Sequence, residues 1–376
     1  MKYTWKLVQE LKPSLLMVLA QVAYASANVL YKLAINDGMS IMVVTAYRHI
    51  FGAAFSLSLA LIFERKNMPK LTWRVLSMSF FCGLFGGSLA QNLYFIGLAW
   101  VSATFATSVY NLVPVITFIF SVLCGFEMLN LRTAAARVKV LGSIIGISGS
   151  MLLTFFKGGE INIWTFHINL LHKNQNGHIA TLHADHSGRK WLGVLCGLAS
   201  GFSFSSWLII QTKMSKEYPS LRHHSSTALM TLMAAIQATV FALCVEKDWS
   251  QWKLGWSIRL LTAAFSGIVV SGLVVIVTTW CVRLRGPLYA SVFNPLSLVI
   301  VAIFSPLVLD ENLYVGSLIG ALLIVCGLYM VLWGKSKEMR LESSEKENFE
   351  ATAAVVITTL DHDNSDYGNN SHTISS

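Results

Sequence analysis

The stretch Ser108-Val109-Tyr110-Asn111-Leu112-Val113-Pro114 decides the fold, because a variant of it, Ser291-Val292-Phe293-Asn294-Pro295, returns 183 residues later. In both copies the asparagine and the proline lie inside a long apolar run. Proline removes a backbone N–H and frees a helical carbonyl, and a lipid bilayer offers no water to satisfy such groups. Two costly motifs of the same kind indicate that the chain contains two related halves.

A second repeated motif follows each copy of the first. Gly142-Ser143-Ile144-Ile145-Gly146 occurs in the first half and Gly316-Ser317-Leu318-Ile319-Gly320 in the second. Small residues four positions apart allow two helices to approach closely in a membrane. We therefore expect these glycines to serve helix packing and not substrate binding.

The composition identifies the class of protein. Of the 376 residues, 54% are hydrophobic and 12% are charged, and the mean hydropathy is +0.58. Helices of about 20 apolar residues cross the ~30 Å hydrocarbon core of a bilayer, so we predict an all-α polytopic membrane protein. The net charge of +9 comes from basic residues scattered over short connections, which argues against nucleic acid as a partner. The six cysteines lie in apolar runs, which favours packing over disulfides or metal binding.

The apolar runs predict ten transmembrane helices arranged as two inverted five-helix repeats. We expect a cytosolic N-tail at 1–12, a first repeat at 13–156, a non-cytosolic, histidine-rich loop at 157–190, a second repeat at 191–334 and a disordered cytosolic tail at 335–376. The predicted spans are 13–35, 40–63, 75–98, 102–124 and 138–156 in the first repeat, and 191–212, 224–245, 260–282, 288–309 and 313–334 in the second.

The distribution of basic residues predicts the orientation. With the N-terminus in the cytosol, nineteen lysines and arginines lie on the cytosolic side and seven on the opposite side, in agreement with the positive-inside rule. Both termini are then cytosolic. Because each repeat has an odd number of helices, the second repeat crosses the membrane with opposite polarity to the first. Inverted repeats of this kind are typical of transporters with a substrate site near the membrane midplane.

Polar side chains within the predicted spans are candidate substrate contacts, because placing them in a membrane is costly. Gln21, Asn28 and Lys32 are spaced by seven and four residues and share one helical face with Tyr24 between them. The other candidates are Arg48, Gln91, Tyr94, Thr107, Asn111, Trp280 and Asn294.

Each candidate also has a purely structural interpretation. Lys32 and Arg48 suit a substrate carboxylate, whereas Tyr24, Tyr94 and Trp280 suit an apolar or aromatic body. However, a lysine near a helix end can extend to the lipid headgroups, an arginine can clamp two helices, and small hydroxyl groups often join helices. The argument for a binding cavity is that several polar faces converge where the two prolines interrupt their helices.

The acidic residues predict the type of transport. All nineteen lie outside the centres of the apolar runs, with Glu127 and the pair Asp310-Glu311 at helix ends, where capping or contact with water is the expected role. Without a carboxylate in a span centre we expect flux along the substrate's own gradient, with no obligatory proton. The sequence also lacks the clustered metal ligands of a membrane enzyme and a phosphate-binding glycine loop. We therefore predict a protein that is not an enzyme and needs no cofactor.

The histidine-rich loop contains the one arrangement that suggests a metal. His183, Asp185 and His186 lie close together in sequence. Such clusters in a polar loop that contains glycine and asparagine are more often solvated, so we expect no metal site.

Further motifs resemble the plant nodulin-like EamA transporters of the drug/metabolite transporter superfamily, which include the Walls-Are-Thin-related and UMAMIT proteins. The matching motifs are Ala46-Tyr47-Arg48-His49, Phe293-Asn294-Pro295-Leu296 and Gly327-Leu328-Tyr329 followed by Leu332-Trp333-Gly334-Lys335. The resemblance covers residues 11–337. It implies ten helices in two inverted EamA repeats and movement of amino acids, auxin or related metabolites in either direction across the plasma or vacuolar membrane. Asp310 departs from the family pattern, in which glycine often precedes the glutamate.

The sequence thus predicts a facilitator of small metabolites, at the plasma membrane rather than the vacuolar membrane. Its predicted partners are a small-molecule substrate and the lipid bilayer, and a homo-oligomer is compatible with the sequence. The alternative from another class is a membrane scaffold or sensor with a signalling tail, which would show no flux of any solute.

Overall fold

A computed structural model describes residues 2–64, 72–100, 111–127, 133–156, 158–161, 187–218, 223–255, 257–309 and 313–370. The first half contains helices α1 (Lys2–Asn36), α2 (Ile41–Phe63), α3 (Trp73–Cys82), α4 (Ala90–Trp100), α5 (Val113–Leu123) and α6 (Ala134–Phe155). The second half contains α7 (Ser187–Glu217), α8 (His223–Val245), α9 (Ile258–Phe265), α10 (Val275–Arg285), α11 (Pro287–Val292), α12 (Asn294–Leu309) and α13 (Val315–Asn370). A short 3₁₀ helix, Trp249–Trp252, follows α8.

Seven helical stretches in the described residues are long and apolar enough to cross a membrane. They are Leu11–Ile35, Ile41–Phe63, Ala134–Phe155, Trp191–Glu217, His223–Val245, Ile258–Arg285 and Val315–Leu341. Val113–Leu123 and Pro287–Ile303 are apolar but shorter. The prediction of a helical, multi-span membrane protein is confirmed. The described part of the predicted span 102–124 begins only at residue 111, so its full length lies outside the described residues.

Both halves contain a widened helical turn at a corresponding place. Residues Gly83–Leu89 form a π-helix between α3 and α4, and Ser266–Val274 form another between α9 and α10. The predicted helices 75–98 and 260–282 are therefore each divided into three parts. Segments of π-helix inside α-helices frequently occur at functional sites.

The repeated asparagine–proline motif lies at the start of a helix in both halves. Asn111 and Leu112 form a turn before α5, which carries Pro114 in its first turn. In the second half, α11 ends at Val292, Phe293 forms a turn and α12 begins at Asn294. Since proline cannot donate a backbone hydrogen bond, a helix tolerates it best near its start. The expected break is confirmed in the second half; in the first half the residues before 111 lie outside the described residues, so the break there stays a prediction.

Glycines bring the backbones of α6 and α13 into direct contact. A Cβ atom added to Gly149 would lie 2.7 Å from Leu323 Cβ and 2.9 Å from the carbonyl oxygen of Gly320. A Cβ atom on Gly327 would lie 2.5 Å from the backbone nitrogen of Gly146. The prediction of a packing role is confirmed for Gly142 and Gly320, whose added Cβ atoms would lie 2.8 Å from the carbonyl oxygen of Gly327 and 2.7 Å from that of Gly149.

Helices α2 and α8 run antiparallel, and each receives a cap from the chain that follows the other. The backbone N–H of Ser225, near the start of α8, donates to Glu64 Oε2 at 3.0 Å, just after the end of α2. At the opposite end, the N–H of Ser40, before α2, donates to Gln251 Oε1 at 3.0 Å, beyond the end of α8. Acceptors at a helix N-terminus satisfy N–H groups that the helix leaves unpaired. The two caps fix the α2–α8 pair at both ends.

The two tails differ from expectation. Helix α1 begins at Lys2 and passes through Pro13, so the expected N-tail at 1–12 is helical. Helix α13 continues without a break to Asn370, through the segment from residue 335 for which the sequence predicts disorder. The sequence from Lys335 to Asp366 contains neither proline nor glycine, the two residues that interrupt helices most strongly. Lys335 and Glu338 add an ion pair at i,i+3.

The connection between the halves is described only at its ends. Glu160–Ile161 forms a two-residue strand, β1, that pairs antiparallel with β2, Leu313–Tyr314, before α13. The five histidines of the loop lie outside the described residues, as does the His183, Asp185 and His186 arrangement. Helix α7 begins at Ser187, a few residues before the predicted start of the second repeat.

Candidate functional site

A cavity with a volume of about 210 Å³ lies between the two halves of the protein. This is well above the ~10–15 Å³ that a single water molecule needs. Both π-helical segments contribute to its lining, through Gly86 and Gly87 in the first half and Val270 and Ser271 in the second. Both asparagine–proline motifs contribute as well, through Asn111 and Asn294.

The structure brings eight of the eleven predicted site residues together in this cavity. They are Gln21, Tyr24, Asn28, Arg48, Gln91, Tyr94, Asn111 and Asn294. Three are not found there. Lys32 is exposed and absent from the lining, Trp280 is absent from the lining and lies 5.8 Å from Lys12 Nζ, and Thr107 lies outside the described residues.

Arg48 is the only lysine, arginine, aspartate or glutamate in the described lining of the cavity. Its Nε donates to Ser271 Oγ at 2.8 Å and its Nη1 donates to Gln91 Oε1 at 2.7 Å. Gln91 belongs to α4 and Ser271 to the second π-helical segment, so the guanidinium group is held from both halves. A guanidinium carries five N–H donors, and these two bonds engage two of them. The result is a fixed positive charge at the wall of the cavity.

Two glycines allow this arrangement, because α2 packs directly on the second π-helical segment. A Cβ atom on Gly52 would lie 2.6 Å from Ser271 Cβ, and one on Gly267 would lie 2.7 Å from the carbonyl oxygen of Arg48. The neighbouring Tyr47 points elsewhere and donates to the carbonyl oxygen of Trp252 at 2.7 Å. Consecutive helical residues face different directions. Tyr47 therefore anchors α2 to the chain near Trp252, while the adjacent Arg48 faces the cavity.

Three side-chain amides face the same cavity with unpaired nitrogen atoms. Gln21 and Asn111 are 2% and 4% exposed. Gln21 Nε2, Asn111 Nδ2 and Asn294 Nδ2 are buried and find no hydrogen-bond partner among the described residues. Buried polar groups are nearly always hydrogen-bonded, so each such case needs an explanation.

The cavity narrows toward the N-terminal end of α1. Gln21, Tyr24, Phe204 and Asn294 also line a small adjoining pocket that extends to Met17. One turn further, Ser14 Oγ and Tyr289 Oη share a hydrogen bond of 2.7 Å between α1 and α11.

The same end is packed with large apolar side chains, and Met17, Leu208, Tyr289 and Phe293 are all nearly inaccessible to solvent. In contrast, Asn28 is an exposed side chain in the cavity lining. The cavity therefore opens near Asn28 and is closed near Ser14.

Several cavity residues were not among the predicted site residues. The aromatic residues Tyr31, Phe95, Phe204 and Trp207 contribute to the wall, and Gly86 leaves room for the indole of Trp207. In sequence an apolar wall cannot be distinguished from a packed core, because both are runs of large apolar residues. Ser271 was also missed, since the π-helical segment that positions it has no clear signal in sequence.

A buried ionic cluster lies away from the cavity, where α5, α6 and α13 meet. Glu127, whose side chain is fully buried, accepts hydrogen bonds from Lys139 Nζ at 3.0 Å and from Lys335 Nζ at 2.5 Å. Lys139 Nζ also bonds Glu338 Oε2 at 2.7 Å. The expectation that Glu127 caps a helix or contacts water is wrong, because two lysines from different helices occupy its oxygens.

The chain is similar to known transport proteins along most of its length. Residues 11–155 and 191–333 each match the EamA-like transporter family. A WAT1-related protein of Arabidopsis thaliana is 40% identical over 340 residues, which cover 90% of this chain and 94% of that protein. Another is 40% identical over 325 residues, with 86% and 90% covered.

A solved structure also shares the fold. A protein crystal structure superposes with a TM-score of 0.62 at 16% sequence identity, and the match covers 85% of this chain and 96% of the other. At that level of identity the likeness concerns the fold alone.

Proposed function

Because the chain belongs to the EamA-like transporter family, whose members are membrane transporters and not enzymes, we propose that it moves amino acids or auxin-like organic acids through the cavity between its halves. The chain is an integral, multi-pass membrane protein, and its family points to small molecules as substrates. A scaffold or sensor without transport activity is not favoured by this membership.

Arg48 is the observation that carries the proposed substrate class. It is held in the cavity wall by Gln91 and Ser271, and the described lining contains no aspartate or glutamate to neutralise it. A fixed guanidinium group is the preferred protein partner of a carboxylate. The aromatic residues around it offer surface for the body of a small organic acid.

The proposal includes ten transmembrane helices in two inverted EamA repeats. The family matches twice, once in each half, and in both halves a π-helical segment is followed by an asparagine–proline motif at the start of a helix. The basic residues support a cytosolic location for both termini. We place the protein at the plasma membrane. Accessibility of terminal tags in intact cells tests the orientation, and surface labelling of a C-terminal tag would contradict it.

Alternating access without an obligatory proton is the proposed mechanism. The proposal is supported by a cavity that opens near Asn28 and is closed near the Ser14–Tyr289 contact, as one end state of such a cycle would require. With no carboxylate in the described lining, a protonation step would have to use another group, such as His49. A protonophore at constant membrane potential should leave the flux of a permanently ionised substrate unchanged.

Uptake and efflux in oocytes test the function directly. The panel consists of radiolabelled amino acids and indole acetate, and Arg48→Gln should weaken the apparent affinity for a transported carboxylate by roughly tenfold or more. Lys213→Gln is the control, because Lys213 pairs with Glu217 at the protein surface, away from the cavity. The absence of flux for every solute at normal surface expression would refute the proposal.

A further inference from the structure

We propose that the side-chain amides of Gln21, Asn111 and Asn294 form a recognition site for an uncharged oxygen acceptor on a substrate whose carboxylate binds Arg48. The substrate class is then a carboxylate that carries a second, neutral carbonyl group, either a ketone or an amide. This inference rests on the proposed function and specifies what the cavity selects.

The three amides have hydrogen-bonding capacity that the described protein does not use. Each nitrogen is buried, lines or adjoins the cavity wall and lacks a protein partner. An amide nitrogen carries two N–H donors and no acceptor. The complement of such groups is an acceptor without positive charge, and a carbonyl oxygen meets that requirement.

The positions of the amides are fixed by the repeated motif. Asn111 lies in the turn before α5, three residues before Pro114, and Asn294 is the first residue of α12, directly before Pro295, so each is set at the start of a helix. Because the two asparagines occupy corresponding positions of the two halves, they approach the cavity from both halves. Gln21 completes the group from α1.

Two of the three amides extend into a part of the cavity that Arg48 does not line. Gln21 and Asn294 line both the main cavity and the small pocket toward Met17, whereas Arg48, Gln91 and Ser271 line only the main cavity. A ligand therefore meets N–H donors at two separate places. In the described lining no carboxylate complements a cationic group, so the arrangement favours molecules with an oxygen acceptor at each end.

A pair of matched ligands tests this directly. 4-Oxopentanoate and pentanoate have the same chain length and charge and differ only in the ketone. We would measure the binding of each to the purified full chain in detergent, from the concentration dependence of its thermal stabilisation. The oxo acid should bind at least about tenfold more tightly, because pentanoate leaves buried donors unpaired.

Variants assign the preference to particular residues. Asn111→Ala and Asn294→Ala should each reduce the affinity ratio of the two acids toward one, while Arg48→Gln should weaken both acids. Asn92→Ala is the matched control. Asn92 is also a buried asparagine, but its Nδ2 donates to Ser88 Oγ at 3.5 Å and it is not part of the cavity lining. The affinity ratio of the two acids in Asn92→Ala should equal that of the wild type.

Three results would overturn the inference: equal binding of the two acids by the wild type, no binding of either acid, or an unchanged ratio in both Asn111→Ala and Asn294→Ala. A ratio of one would mean that the amides bind only water. Failure of the proposed function is a separate result. If the ratio is high but no solute is transported, the recognition site stands and transport does not; if a carboxylate is transported with a ratio of one, only the recognition site fails.

Discussion

Replacement of Lys139 by methionine should destabilise the protein far more than the loss of a surface ion pair. The Lys139 side chain is 2% exposed and contacts Glu127 at 3.0 Å and Glu338 at 2.7 Å. Methionine fills a similar volume but leaves Glu127 buried with one lysine in place of two. Removing one member of a buried ion pair typically costs 3–5 kcal/mol. Because Lys335 still bonds Glu127, we expect Lys139→Met to lower the free energy of unfolding by the low end of this range, about 3 kcal/mol.

The assay is the free energy of unfolding in mixed micelles, followed by circular dichroism. Lys213→Met is the matched control, since it breaks the Lys213–Glu217 pair, in which both side chains are well exposed at 58% and 42%. Such pairs contribute roughly 0.3–0.5 kcal/mol. The double variant Lys139→Met/Glu127→Gln should recover part of the loss, because it removes the buried charge. Equal effects of Lys139→Met and Lys213→Met would refute the reasoning.

Three further predictions concern packing, the C-terminal helix and the closed end of the cavity. Gly149→Ala should destabilise the protein by about 1–3 kcal/mol, because the added Cβ would clash with α13. Gly146→Ala should not, since no described residue lies within 4 Å of its added Cβ. Equal unfolding free energies of the two variants would contradict this. Truncation after Leu341 should leave transport per surface-exposed molecule unchanged. Truncation after Lys337 also removes Glu338, the partner of Lys139 and Lys335, and should lower the free energy of unfolding. Equal stability of the two truncated proteins would count against a stabilising role of the ionic cluster. Tyr289→Phe removes the hydrogen bond to Ser14, which is worth about 1 kcal/mol. In a variant whose other cysteines are replaced, it should therefore speed maleimide labelling of the buried Cys281 by roughly fivefold. An unchanged labelling rate would mean that this contact does not hold the end of the cavity closed.

The sequence predicted the polar part of the cavity better than its boundary. Arg48, Asn111 and Asn294 stand out because polar groups in an apolar run are costly to place in a membrane. Lys32 shares a helical face with Asn28, yet only Asn28 lines the cavity, because a face one turn wide can extend past the edge of a site. Trp280 lies at the closed end, near Lys12, which no local pattern indicates. Tertiary contacts determine both outcomes.

The secondary structure, like the cavity, could be predicted from the sequence only in part. Apart from the start of α1 and the end of α13, apolar runs located the ends of the long described helices within a few residues, because length and hydropathy follow directly from the bilayer. The π-helical segments were not predicted, since a widened turn depends on how neighbouring helices pack against glycines such as Gly267. The polar, charged composition of the tail predicts disorder, but helix formers such as Lys335, Glu338 and Arg340 are common there and α13 runs through them.

The Ser14–Tyr289 closure also has a pharmacological consequence. A molecule that binds Arg48 but is too bulky to pass the packed end of α1 can enter only from the side of Asn28. Such an inhibitor should block efflux and uptake alike when applied to that face of the membrane, and should have no effect from the other face while this conformation is populated. The degree to which inhibition depends on the side of application would thus report the fraction of the protein that is in this conformation in living cells.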